Sequence, residues 1–309
     1  MRVLFHSNQL GIRGTEIALY DYAHYNETIL GNESYIAVPM GSDMSAHDKF
    51  VRRFGFDRIL LYDDFTEFCS NLVNIFKITH AYFIKGGAND GKLVPGIKNI
   101  VHAVFDGSQP HGDHYVAVSK WLGDKYKIDY LPHIVSLPKE TEDFRDFIGI
   151  KKDAIVFGRH GGYSQFDVPY LDIIKDVCAS RGDIVFLLMN TAPLNVYHDR
   201  IIHVDPEIDL VTKTRFINTC DAMIHGRMEG ETFGLAIAEF LHQDKPVITN
   251  IDGRDRNHIH MLGSEGFYYE TSEELKTILL SFEKKKYYMR HLVKDFTPEE
   301  VMKKFKSFL

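Results

Sequence analysis

The sequence predicts an α/β protein of two doubly wound halves, each a parallel sheet covered by helices. Three observations predict it. The 309 residues are long for one core, and usual domain sizes favour two units of similar length with a cleft between them. Short β-rich runs bounded by turn residues alternate with helix-length amphipathic stretches, the pattern of a parallel sheet buried on both faces. A charged stretch, PKETEDFRDFIGIKKD at 138–153, separates one such series from the next.

The first series runs RVLFH (2–6), SYIAVP (34–39), RILLY (58–62), AYFIK (81–85), NIVHAVF (99–105) and YVAVS (115–119), with helical stretches at Thr15–Tyr25 and Thr66–Ile78. The second runs AIVFGR (154–159), DIVFLLMN (183–190), RIIHV (200–204), DAMIH (221–225), KPVITN (245–250) and GFYYE (266–270). These define an N-terminal domain over 1–138 and a C-terminal domain over 139–289. Thr297-Pro298-Glu299-Glu300 then supplies a capping residue and a proline at the first helical position. Val301, Met302, Phe305, Phe308 and Leu309 make an apolar stripe on the helix within 290–309 that follows. That helix docks on the first domain, or adheres weakly to a membrane surface.

Composition narrows the function. A net charge of −7 argues against nucleic acid, whose binding leans on Lys and Arg neutralising phosphates. Cys69, Cys178 and Cys220 are odd in number and sit in apolar surroundings, which suits reduced thiols and a cytoplasmic protein. No segment approaches the length and apolarity of a membrane span. Neither Asp-x-Asp, G-x-G-x-x-G, Walker A nor G-x-S-x-G occurs. The short groups His111, Asp113, His114 and His258, His260 lack a further ligand at a recognisable spacing, so no metal is expected.

The segment EGETFGLAIAEFL, 229–241, carries the most chemistry. DAMIH reads as a strand, and the loop from Gly226 to Thr232 leaves its C-terminal end, where open α/β sheets bind ligands. Leu235, Ala238 and Leu241 at helical spacing predict a helix from about Phe233 to His242. The amides near Phe233, Gly234 and Leu235 are then free to receive an anion, and Gly234 admits a close approach. Glu239 lies a turn inside the helix and Glu231 on the loop before it. The two acids bracket a ligand bearing phosphate and hydroxyl groups, or else Glu231 complements the helix dipole and Glu239 is solvated.

ETFGLAIAEFLHQDKPVIT resembles the E-x7-E segment of the retaining GT-B glycosyltransferases of family 4, through Glu231, Phe233, Gly234, Leu235, Glu239, Pro246, Val247 and Ile248. The resemblance implies two Rossmann-like domains facing a cleft. It also implies sugar transfer from a UDP- or GDP-linked donor to a glycan, lipid or protein acceptor, with retention and without metal or other cofactor. By the same resemblance Glu231 contacts the transferred sugar, the Phe233–Leu235 backbone the sugar and diphosphate, and Glu239 the ribose hydroxyls. Arg159 matches the family arginine that neutralises the diphosphate. The lysine that follows it in the family is missing, since no Lys occurs between Asp153 and Ile174, and Arg227 is the candidate replacement. Glu229 is left to orient Arg227.

His102 lies in an apolar run, which suits a structural residue. The resemblance instead implies a place near the donor sugar, and an inverting reaction would make it the candidate base. Gly11 and Gly14, before a helix opened by Thr15, resemble the family's phosphate or acceptor loop, although an ordinary strand-to-helix turn has the same sequence. A nucleotide-sugar epimerase and a catalytically inactive sugar-nucleotide or glycan-binding protein are the alternatives.

Overall fold

The computed structural model describes residues 1–309, apart from the side chains of Val73 and Asn74. The chain divides into two compact units, Met1–Ile134 with Asp295–Leu309, and Val135–Lys294. In the first lie β1 (Arg2–His6), α1 (Gly14–Thr28), β2 (Glu33–Pro39), α2 (His47–Phe54), β3 (Ile59–Tyr62), α3 (Phe65–Asn71), β4 (His80–Lys85), β5 (Lys98–Ala103), β6 (His114–Ala117) and α4 (Lys120–Tyr126). The second unit contains β7 (Ile155–Arg159), α5 (Ile173–Ser180), β8 (Ile184–Met189), β9 (Ile201–Val204), α6 (Leu210–Thr219), β10 (Ala222–His225), β11 (Gly230–Glu231), α7 (Leu235–His242), β12 (Val247–Asn250), β13 (Asp255–Arg256), α8 (Asn257–Leu262), β14 (Phe267–Tyr269) and α9 (Ser272–Ser281). The final helix, α10 (Pro298–Lys306), returns to the first unit.

Each unit is built on one six-stranded parallel sheet, ordered β3-β2-β1-β4-β5-β6 in the first and β14-β12-β10-β7-β8-β9 in the second. Counted from its own first strand, each follows the doubly wound order 3-2-1-4-5-6, which reverses between strands one and four. The twelve β-rich runs of the sequence are the twelve strands of these sheets. Their composition explains why: all six residues of β8, IVFLLM, are buried, as a strand covered on both faces requires. Only the two-residue pair β11–β13 had no sequence signal.

The connector carries no helix or strand, yet it is anchored. Arg145 is buried and donates to the Ala154 carbonyl (2.9 Å) and to Asp221 Oδ2 (2.8 Å), which also accepts from the Val156 amide (2.8 Å). Of the stretch Thr66–Ile78, Phe65–Asn71 forms α3, and the chain continues as a wider helical turn over Leu72–Phe76. The expectation there also covers Val73 and Asn74, whose side chains lie outside the described residues.

The terminal stripe is buried within the first unit. Phe305 packs against Phe5, Tyr22 and Tyr82, and Phe308 against His114. Thr297 Oγ1 accepts from the Glu300 amide at the N-terminus of α10. The apolar face that a membrane would have needed is therefore covered by the protein itself. Among the described residues no helix is long and apolar enough to cross a membrane.

Several buried histidines make stability pH-dependent. Burial draws His6, His133 and His258 down to about 3 from the ordinary 6.5. The unfolded chain takes these protons below pH 6.5 while the folded chain does not, so their contribution is full above 6.5 and is lost as pH falls toward 3. At pH 5 each costs about 2 kcal/mol. The urea midpoint is expected to fall clearly between pH 7 and pH 5, and an unchanged midpoint would show that these rings already carry charge in the fold.

Candidate functional site

In the second unit the order reverses between β7 and β10, and the C-terminal ends of those strands carry Arg159 and His225. Arg159 is 3% exposed. Its guanidinium donates to Thr191 Oγ1 (2.5 Å), the Gly162 carbonyl (2.8 Å) and, more weakly, the Asn190 carbonyl (3.4 Å), and it lies over the Phe166 ring at 5.2 Å. All these partners are neutral. Burial lowers its pKa to about 10, opposed only at a distance by Glu231 and Asp167. A buried cation without a bonded counter-ion is costly.

Beyond β10 the chain turns at Gly230, whose φ is +72° and where a Cβ would lie 2.0 Å from the Asp255 carbonyl oxygen. Only glycine permits the β11–β13 pairing that fixes the Glu231 backbone beside Arg256. Helix α7 starts two residues later than the spacing suggested, because Gly234 adopts a left-handed conformation (φ +89°) at its N-cap. The first intrahelical bond runs from the Ala238 amide to the Gly234 carbonyl. The amides of Leu235, Ala236 and Ile237 thus lack intrahelical acceptors. Just before them, the buried Phe233 is held through its carbonyl, which accepts from Asn257 Nδ2 (2.7 Å).

Both acids of the motif are engaged, and neither is solvated in the way a surface residue would be. His225 Nε2 lies 3.2 Å from Glu231 Oε1, and Arg227 Nη1 donates to Glu231 Oε2 (3.0 Å). Burial pushes the Glu231 carboxyl up, but His225 and Arg227 outweigh it and hold the carboxyl below its ordinary value. Glu239 Oε1 accepts from Lys213 Nζ (3.0 Å), while His160 Nε2 lies 3.1 Å from Oε2, and these three side chains are 6%, 6% and 10% exposed. Here too burial is overcome, by Lys213 and then His160, and Glu239 falls to about 2. The His160 ring stacks on Phe240 at 5.6 Å.

Arg227 is committed to Glu231 and, at 3.3 Å, to Glu229, so it is a carboxylate partner and not a free replacement for the missing lysine. Glu229 is thus in contact with Arg227. His102 is fully enclosed in the first unit's core, with Nδ1 2.6 Å from the Tyr82 hydroxyl and its ring against those of Tyr22 and His133. Burial drives its pKa well below the ordinary value. A proton acceptor for a substrate hydroxyl needs an exposed nitrogen, which His102 does not present. Gly11 does precede a helix, but Gly14 is its first residue and Thr15 does not cap it: Arg13 occupies the N-cap, and Thr15 Oγ1 donates to Glu16 Oε1 (2.8 Å). Among the described residues no group of three or more His, Cys, Asp or Glu side chains is arranged to hold a metal ion.

Sequence reasoning missed His160, Lys213, His225 and Thr249. His225 ends a strand run and His160 directly follows one, so both had a positional signal. Lys213, 26 residues before Glu239, had none.

No protein-family model matches the chain, and no curated protein matches it. Solved structures do. A structure of Anabaena HepE in complex with UDP-glucose matches with a TM-score of 0.72 at 14% identity, covering 99% of this chain and 100% of that one. A glycosyltransferase from Rickettsia africae matches at 0.69 and 13% identity, covering 99% and 97%. A putative UDP-N-acetylglucosamine 2-epimerase from Listeria monocytogenes matches at 0.60 and 12% identity, covering 99% and 94%. Together with the two sheets, these likenesses show the fold: two Rossmann-like α/β units of the GT-B architecture.

The buried pair gives a stability test. Replacing Lys213 by Met leaves Glu239 with His160 alone and is expected to cost about 3 kcal/mol. Changing Glu239 to Met in the same chain should recover at least half of that loss. Equilibrium urea unfolding checks both, and a single variant within roughly 0.5 kcal/mol of the parent would show that the pair carries no such weight.

Proposed function

We propose that the chain is a glycosyltransferase that moves a sugar from a nucleotide-sugar donor to an acceptor, with the donor held by the second unit and the acceptor by the first. The observation that carries this reading is Arg159, buried at the sheet's reversal point and bonded only to neutral oxygens. The free amides of α7 begin on the element directly after the neighbouring strand's loop. A diphosphate supplies the charge both lack. The GT-B neighbours, one of them holding UDP-glucose, support a nucleotide-sugar as the bearer of that diphosphate.

In this reading the ionised Glu231 accepts hydrogen bonds from sugar hydroxyls, and Glu239 accepts from the ribose with the lone pairs that Lys213 and His160 leave free. A carboxylate has about four acceptor sites, so two remain on each acid. Arg159 and the amides stabilise the charge that develops on the leaving diphosphate, without reorganisation at the moment of reaction. Retention, as in the family the motif resembles, fits a site in which the buried His102 is not a base. The chemistry needs no metal, because protein groups meet the leaving-group charge. The epimerase among the structural neighbours keeps a second reading, in which water takes the acceptor's place.

Arg159→Ala is expected to weaken UDP binding about 10- to 100-fold, the weight of charge-assisted hydrogen bonds, while uridine binding stays within about twofold. Isothermal titration reads both, and equal losses for UDP and uridine would remove the diphosphate from Arg159. A thermal-shift panel of UDP- and GDP-sugars names the donor, since a ligand of the native state raises stability. With the donor found, Glu231→Gln should abolish transfer. Nucleotide-sugar bound tightly with no turnover on any acceptor or water would leave a binding protein. Epimerised sugar without an acceptor would make the chain an epimerase, and NMR of the product's anomeric carbon decides retention.

A further inference from the structure

His225 and Thr249 are partners in the β10–β12 register, so their side chains stand together at the C-terminal edge of the sheet. Both are buried. His225 Nδ1 lies 2.8 Å from Thr249 Oγ1, and Nε2 lies 3.2 Å from Glu231 Oε1. The backbone of His225 is pinned as well, its carbonyl accepting from the Tyr269 hydroxyl (2.7 Å).

We propose that His225 is the positioning residue for Glu231, with its tautomer set by Thr249. This rests on the donor reading above for what Glu231 does, not for how Glu231 is held. An ionised carboxylate needs a donor, so the proton belongs on Nε2. Nδ1 then accepts from the Thr249 hydroxyl, which has only a long alternative in the Asn250 carbonyl (3.3 Å). His225 holds Oε1 and Arg227 holds Oε2 (3.0 Å), while β11–β13 pairing fixes the backbone. The carboxylate is thereby locked in one rotamer, 19% exposed, with its unused lone pairs available to a sugar's hydroxyls. Arg227 alone would hold only Oε2 and leave Oε1 without a partner. His225 ties it to the sheet.

Two arms test the assignment. In the first, crystal structures of His225→Leu, His225→Gln and Thr249→Val are compared with the parent. Glu231 should leave its position in the Leu variant, keep it in the Gln variant, whose amide N–H replaces Nε2–H, and shift partly in the Val variant. In the second, UDP and UDP-glucose are titrated against each protein. The parent's preference for UDP-glucose over UDP should fall about tenfold in His225→Leu, with UDP affinity within twofold, and should return in His225→Gln. An unmoved Glu231 in the Leu variant, or equal losses for both ligands, would overturn the proposal. A parent that binds neither ligand would instead overturn the donor reading, and the crystal arm would still decide the role of His225.

Discussion

Two carboxylates held inside the second unit are the constraint on which the rest of its site depends. An ionised carboxylate taken from water is tolerated only when it is paired and hydrogen-bonded. Glu231 and Glu239 meet that condition in the same way, each with one histidine and one cation: His225 with Arg227, and His160 with Lys213. Their four partners come from β10, the loop after it, the residue following β7 and α6. Only the doubly wound order, which sets β7 beside β10 and β10 beside β12, brings these elements together. Fold and site are thus one arrangement: the strand order that buries the sheet also delivers the groups that make the acids affordable.

The same order in the first unit leads to a different balance. There β4, beside β1 at the reversal, ends in Lys85, whose ammonium donates to Asp90 Oδ1 (2.5 Å) and to the Lys92 carbonyl (3.0 Å), with His111 Nε2 at 3.3 Å. Its three donors are spoken for. Arg159 in the second unit bonds only neutral oxygens, keeps its charge unmatched and retains two of its five N–H donors. Of the two reversal points, the second is the one left with an electrostatic demand that a ligand can meet.

Sequence legibility followed the range of the interaction that decided each feature. The strands were readable because burial on both faces is written into each run locally, as IVFLLM in β8 shows. Arg159, Glu231 and Glu239 were readable as a spaced motif. Their partners were not, because Lys213 and His160 reach Glu239 from 26 and 79 residues away, and nothing in TKTRF or GRHGG announces a destination. Thr15 misled for the opposite reason: a residue type that favours helix caps sits one place inside α1, where its hydroxyl bonds Glu16. His102 sat in an apolar run, and its burial follows that local signal. The resemblance that moved it toward the sugar carried a position in a pattern without the side-chain environment.

The missing lysine can now be weighed in the same terms. Arg227 does not replace it, since both of its bonded groups are acids of its own loop. Lys213 does not replace it freely either, because its ammonium neutralises Glu239. On the proposed donor reading, one arginine and a row of amides face the diphosphate, not a pair of cations. That changes the kind of stabilisation more than its existence. A guanidinium in a fixed frame offers planar, paired donors, and helix-end amides add roughly half a positive charge that is held in place by the fold. A flexible lysine would supply a full charge but must be ordered to use it. On the proposed reading, then, the chain meets leaving-group charge chiefly with rigid dipoles. The rigidity has a visible source in Gly234, whose left-handed backbone sets where α7 begins, and in Asn257, which holds the Phe233 carbonyl just ahead of the free amides.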